Sequence, residues 1–138
     1  MANAVYPKAK ESFISQNPSI DIDTDTIKIA LVKITGTGAV SYSSANQYWN
    51  AISSGLVGTA QTLGTKVITD GKFSSASATF TAVSSAGNTL GLVIYKDTGT
   101  ASTSPLIAWL DTGTNIPATP NGGDITVSPD GTNGWFTI

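Results

Sequence analysis

Apolar residues in this chain come in short runs, and turn-forming residues divide each run from the next. Six prolines and fourteen glycines fall almost entirely in the gaps. Such punctuation leaves little room for long helices and marks strands joined by tight turns. Ile27 to Ile34 carries Ile27, Ile29 and Leu31 on one face and Ala30, Val32 and Ile34 on the other. A strand apolar on both faces belongs inside a sheet that is covered on both sides. Leu90 to Tyr95 and Pro105 to Leu110 read the same way, with Pro105 at a strand start, where a missing N–H does least harm. Ala78 to Val83 instead alternates Phe80 and Ala82 against Thr79 and Thr81, the pattern of a half-exposed strand. Weaker strands are expected at Ala39 to Ser43, Lys66 to Thr69, Asp124 to Ser128 and Trp135 to Ile138, about eight in all.

Between them lie Asp70-Gly71, Gly87-Asn88, Asn121-Gly122-Gly123, Asp130-Gly131 and Asn133-Gly134, residues that tolerate the positive φ of hairpin turns. Short strands with hardly any helix between them predict an all-β fold, an antiparallel sandwich of jelly-roll-like type. One helix is expected, Pro7 to Gln16, opened by Pro7 and stopped by Asn17-Pro18. A second helical turn is expected within Asn46 to Ile52. The length of 138 residues suits a single domain over 1–138, with 1–17 as an N-terminal arm and 25–138 as the sandwich.

Composition then limits the chemistry. The chain has no Cys, His or Arg; its seven bases are all lysine against nine acids, for a net charge of −2. Thiol and imidazole catalysis, disulfides and the usual zinc or haem ligands are thereby excluded. An acidic, arginine-free chain also lacks the counter-charge that nucleic-acid binding needs, so no nucleic-acid partner is expected. Charged residues make up only 12%, with 20 Thr and 16 Ser, so hydroxyls must meet much of the solvent. No run approaches the roughly 18 apolar residues of a membrane helix, and Met1 to Lys10 lacks a signal-peptide core. Neither a membrane partner nor Sec export is expected.

Two acidic motifs invite sharper readings. Tyr95-Lys-Asp-Thr-Gly-Thr100 and Trp109-Leu-Asp-Thr-Gly-Thr114 repeat fourteen residues apart, and Asp-Thr-Gly is the sequence signature of aspartic proteases. That chemistry needs two carboxylates about 3 Å apart, each from an equivalent lobe or subunit. Two copies in one hairpin cannot be two lobes; a homodimeric site using Asp111 alone stays open, although Asp97 follows Lys96 and no apolar-apolar-Gly segment follows Asp111 to brace the loop. Asp97 and Asp111 are expected to cap turns, with Gly99 and Gly113 in left-handed positions. Asp21, Asp23 and Asp25 open like a calcium loop, but Thr26 stands where glycine is wanted and Val32 where glutamate is wanted. A solvated acidic turn is expected there, with no metal and no cofactor. Trp109 and Trp135 are expected in the core, while Tyr48 and Trp49, in an irregular region, are candidates for core or contact.

As a series, several segments resemble small virion proteins of tailed bacteriophages. They are the N-terminal helix with Tyr6 and Lys8, Asp25-Thr-Ile-Lys-Ile-Ala-Leu-Val32, Thr69-Asp-Gly-Lys-Phe73, Ala78-Thr-Phe-Thr-Ala-Val83, Leu92-Val-Ile-Tyr-Lys-Asp-Thr-Gly-Thr100, Leu106-Ile-Ala108 and Thr119-Pro-Asn-Gly-Gly-Asp-Ile-Thr-Val127. The resemblance implies a capsid cement or head-decoration protein without catalytic activity, assembled in the host cytoplasm into the virion. Its implied partners are the major capsid protein or another virion protein, and further copies of itself as a dimer or trimer. Val5, Tyr6, Phe13, Tyr48 and Trp49 are the candidate protein-contact residues, the first three as anchors of an arm that docks on a neighbour. A tail, neck or fibre component, and a free carbohydrate-binding module, are the alternatives.

Overall fold

The computed structural model describes residues 3–15, 19–85 and 87–138. In chain order its elements are β1 (Ala4–Val5), α1 (Pro7–Ile14), β2 (Ile27–Lys33), β3 (Leu56–Thr62), β4 (Val67–Thr69), β5 (Lys72–Ser74), β6 (Ala78–Phe80), β7 (Leu90–Lys96), β8 (Leu106–Leu110), β9 (Ile125–Val127) and β10 (Phe136–Thr137). The fold is all-β, sandwich-like and antiparallel throughout. A five-stranded sheet of order β1-β8-β7-β2-β3 is joined by a three-stranded sheet, β10-β5-β4, and a β6-β9 pair.

The apolar runs explain the arrangement. β2 and β7 pair over seven positions, from Ile27↔Lys96 to Lys33↔Leu90. Both faces of β2 are buried, as its two-sided apolar pattern requires. One contiguous core joins these strands to Phe73, Phe80, Val127 and Phe136 of the smaller sheets and to Trp135 just before β10. Ala78 and Phe80 are buried while Thr79 and Thr81 meet solvent, as expected, but Ala82 is exposed at φ 48°.

Three strands lie where none was expected, and one expected strand is absent. β1 has only two residues, too few for a pattern. β3, L-V-G-T-A-Q-T, is interrupted by a bulge: Gly58, at φ 70°, falls where the register moves from Leu31↔Val57 to Ile29↔Gln61. β5 lies just beyond the Asp70-Gly71 turn. Ala39 to Ser43 is a loop: the Ala39 N–H turns back to the Gly36 carbonyl (3.3 Å) and the Val40 N–H donates to the Lys33 carbonyl (2.8 Å). The Asn88 amide donates to the carbonyls of Thr35 (2.6 Å) and Thr37 (3.1 Å), and Val40 packs on Gly55. The first helix ends at Ile14, since Ser15 is already extended at φ −73°, ψ 149°; Gln16 and Asn17-Pro18 lie outside the described residues. Within Asn46 to Ile52 the chain forms a 3-10 turn at Trp49–Ala51, followed by another at Ser53–Gly55. No helix of the described residues is long and apolar enough to cross a membrane.

Candidate functional site

Four of the five candidate contact residues serve one structural task, closing the side of β8 that faces away from β7. At one end β1 pairs with β8, Ala4↔Trp109 and Val5↔Ala108, and the Tyr6 N–H donates to the Ile107 carbonyl at 2.9 Å. At the other end Tyr48 bridges to Pro105, the Leu106 N–H donates to the Gln47 carbonyl (2.9 Å), and the Trp49 N–H donates to the Ser104 carbonyl (2.8 Å). An unpaired edge would leave a row of backbone donors and acceptors open, and these two segments satisfy it. Pro105 suits this junction because it has no N–H to leave unbonded.

The side chains follow the backbone inward. Tyr6 is fully buried against Tyr42, ring centroids 5.0 Å apart, and Val5 is buried beside it. Trp49 stacks on Tyr95 at 4.6 Å with planes 2° apart. Val5, Tyr6 and Trp49 are therefore not free anchors for a neighbouring molecule, because the chain's own sheet already occupies them. Phe13 is half-buried, and Tyr48 keeps an exposed ring. Trp109 and Trp135 are core residues as expected, so none of the three tryptophans offers an open stacking platform for a sugar.

Tyr48 forms one rim of a groove of about 360 Å³ whose other rim is α1, with Lys8 and Ala9. Its floor is Pro105 and Leu106, and Ser19, Thr98 and Thr103 supply hydroxyls along it. Lys8 is paired with Glu11 at 2.8 Å, a hydrogen bond that raises its pKa, helped by the Glu11 charge. Lys96 lines the groove as well, and both lysines are already paired, Lys8 with Glu11 and Lys96 with Asp25, so an aromatic rim, an apolar floor and hydroxyl-bearing walls are what it offers a protein segment.

Ion pairs lock the end of the sandwich beside this groove. Lys28 of β2 meets Asp97 at 2.8 Å, and Lys96 of β7 meets Asp25 at 3.0 Å. Lys96 also donates to the Ser19 carbonyl (2.8 Å), tying the segment after α1 to the sheet. The Lys28 hydrogen bond, reinforced by the Gly99 N–H, holds the Asp97 carboxyl below the usual carboxylate range. Burial pushes the neighbouring Tyr95 phenol up to about 12, with a smaller contribution from Asp97. Tyr6 is pushed up by burial too, with Tyr42 adding to it.

The two Asp-Thr-Gly turns have different surroundings. Asp97 caps its own turn through Gly99, which is left-handed at φ 87°. Asp111 instead accepts from the Trp109 indole N–H at 3.3 Å, and its backbone N–H donates to the Asn3 side chain. The left-handed residue there is Asn115 at φ 64°, while Gly113 lies at φ 159°. Asp97 follows β7 and Asp111 follows the antiparallel β8, so they occupy opposite ends of one strand pair. Leu110 faces Leu92, so about six residues, or roughly 20 Å, separate the two acids. They cannot share a proton. In the Asp21–Asp25 segment, Asp21 accepts from the N–H groups of Asp23 and Thr24, and Asp25 is engaged by Lys96 and the Asp21 N–H, an acidic turn.

No protein-family model matches the chain, no curated protein matches it, and no solved structure matches it.

Proposed function

We propose that the chain is a structural protein of a tailed-bacteriophage virion, a cement or decoration protein that binds the outside of the head shell and ties capsid subunits together. Its partner is the major capsid protein or a neighbouring virion protein, and it performs no catalytic step. The observation that carries this reading is the groove between α1 and Tyr48. An exposed tyrosine at the rim of an apolar floor is the kind of anchor that dominates protein interfaces. Hydroxyl-rich walls add contact at low side-chain entropy cost, since Ser and Thr lose little freedom when ordered. Edges closed by the chain's own arm and the paired charges at one end of the sheet support a stiff body suited to a clamp. A shell presents many equivalent sites, so modest affinity at each suffices.

The test is binding to undecorated shells, read as their rupture temperature. The protein should raise it, and Tyr48→Ala should lose most of the effect while unfolding at the same temperature as wild type. If Tyr48→Ala protects shells as well as wild type does, the groove is not the contact.

A further inference from the structure

We infer that the outer edge of β4 is a self-association surface, on which a second copy of this chain adds its own β4 antiparallel across a two-fold axis. The inference rests on the edge itself and not on the virion reading. β4 and β5 form a hairpin around Asp70-Gly71, both left-handed at φ 53° and 76°. This is the two-residue turn that makes Thr69 and Lys72 exchange both backbone hydrogen bonds. In the alternating ladder Ile68, opposite Phe73, therefore turns its N–H and C=O away from β5. The Phe73 carbonyl confirms the alternation, because it points the other way and accepts from the Trp135 N–H at 2.7 Å.

Among the described residues, several other edges are blunted. β3 is bent by its bulge at Gly58, β8 is closed by β1 and Gln47–Trp49, and the Asn115 amide donates to the Thr126 carbonyl of β9 at 2.6 Å. β4 has no bulge, proline or charge within its three residues, and Val67 and Ile68 are 49% and 50% exposed. Such an edge is a template for another strand.

Charge selects a copy of the chain as that strand. Pairing centred on Ile68 sets Ile68 against its symmetry mate and places Lys66 opposite Asp70 of the second copy, twice. Lys66 is held only by the Asp25 carbonyl (2.6 Å), and neither Lys66 nor Asp70 is in an ion pair among the described residues. The same register extends an apolar row already present on one face, Phe136-Phe73-Ile68, into its mirror sequence in the partner. Beneath the row, Phe13, Ile22 and Ile138 flank a groove of about 390 Å³ that the second copy would cover.

Sedimentation equilibrium of the full chain tests this, with Ile68→Pro as the key variant. Proline there removes an N–H that β5 does not use, so the hairpin should survive while edge pairing is blocked. The expected result is a wild-type dimer whose dissociation constant rises at least about tenfold in Ile68→Pro, the loss of one or two backbone hydrogen bonds. Because the chain has no cysteine, cross-linking gives a second readout that does not depend on how the proline variant folds. Directly opposed residues of a hydrogen-bonded pair lie about 5.5 Å apart at Cα, within disulfide range. Ile68→Cys should therefore oxidise readily to a covalent dimer, and Val67→Cys, offset by two positions from its mate, should lag well behind. A wild-type chain that stays monomeric at about 100 µM, where a dimer with a micromolar Kd would be mostly assembled, overturns the inference. So does undiminished dimerisation of a folded Ile68→Pro, or Val67→Cys cross-linking as fast as Ile68→Cys.

Discussion

Tyr6 shows how a residue can be indispensable as a body and a burden in one atom. Its ring fills the core under α1, yet its hydroxyl is buried with no hydrogen-bond partner among the described residues. Leaving a hydroxyl desolvated and unpaired costs about 1–3 kcal/mol, so Tyr6→Phe should hold or raise stability by up to about 1 kcal/mol, measured by urea unfolding. Tyr6→Ala should instead lower it by about 3–5 kcal/mol through the cavity it leaves. Asp97 works in the opposite sense, since its ionised form is the one the fold favours. The benefit is present above the ordinary carboxylate pKa and lost as pH falls through the depressed value of the folded state. Asp97→Asn should therefore cost about 1 kcal/mol near neutrality, the scale of a partly exposed pair. The gap to wild type should close on acidification. A gap that widens in acid would show that Asp97 is not stabilised as the anion.

Elements differ in how plainly the chain announces them, and the arm is the instructive case. Tyr6 and Val5 read as spare anchors only because a two-residue strand has no pattern; once paired, they are the rim of the main sheet. Deleting residues 2–13 should thus damage the sandwich itself, lowering the urea midpoint sharply or abolishing cooperative unfolding, since the loss of buried Tyr6 alone is worth about 3–5 kcal/mol. A truncated chain with an unchanged midpoint would restore the arm as an independent docking segment. β2, β7 and β8 were legible because continuous burial leaves a continuous apolar run. β3 was not, because its bulge breaks the two-residue alternation, and Ala39 to Ser43 imitated a strand but joins no sheet among the described residues. The groove was legible only through Tyr48, because Lys8, Thr98 and Pro105 meet there through long-range strand pairing. For Ile68, the Asp70-Gly71 turn was the available signal: a two-residue loop fixes which hairpin positions face outward.

At the scale of the whole molecule, the absence of histidine gives a simple acid-base profile. No side chain has an ordinary pKa between the carboxylates and the phenols and ammoniums, so stability should be flat from about pH 5 to about pH 9. It should fall in acid as Asp97 is protonated. In alkali it should fall again as pH rises through the ordinary phenol range toward about 12, because Tyr95 must become charged within the core. Urea midpoints across the pH range check both arms, and a step near pH 6.5, where an ordinary imidazole titrates, would contradict the profile. Such a broad plateau is compatible with the structural role proposed above. The most direct test of the proposed role is the rupture temperature of undecorated phage shells, followed as the purified chain is added. The account predicts a rise that saturates at a fixed number of copies per shell. Shells that bind no protein and burst at an unchanged temperature would contradict it.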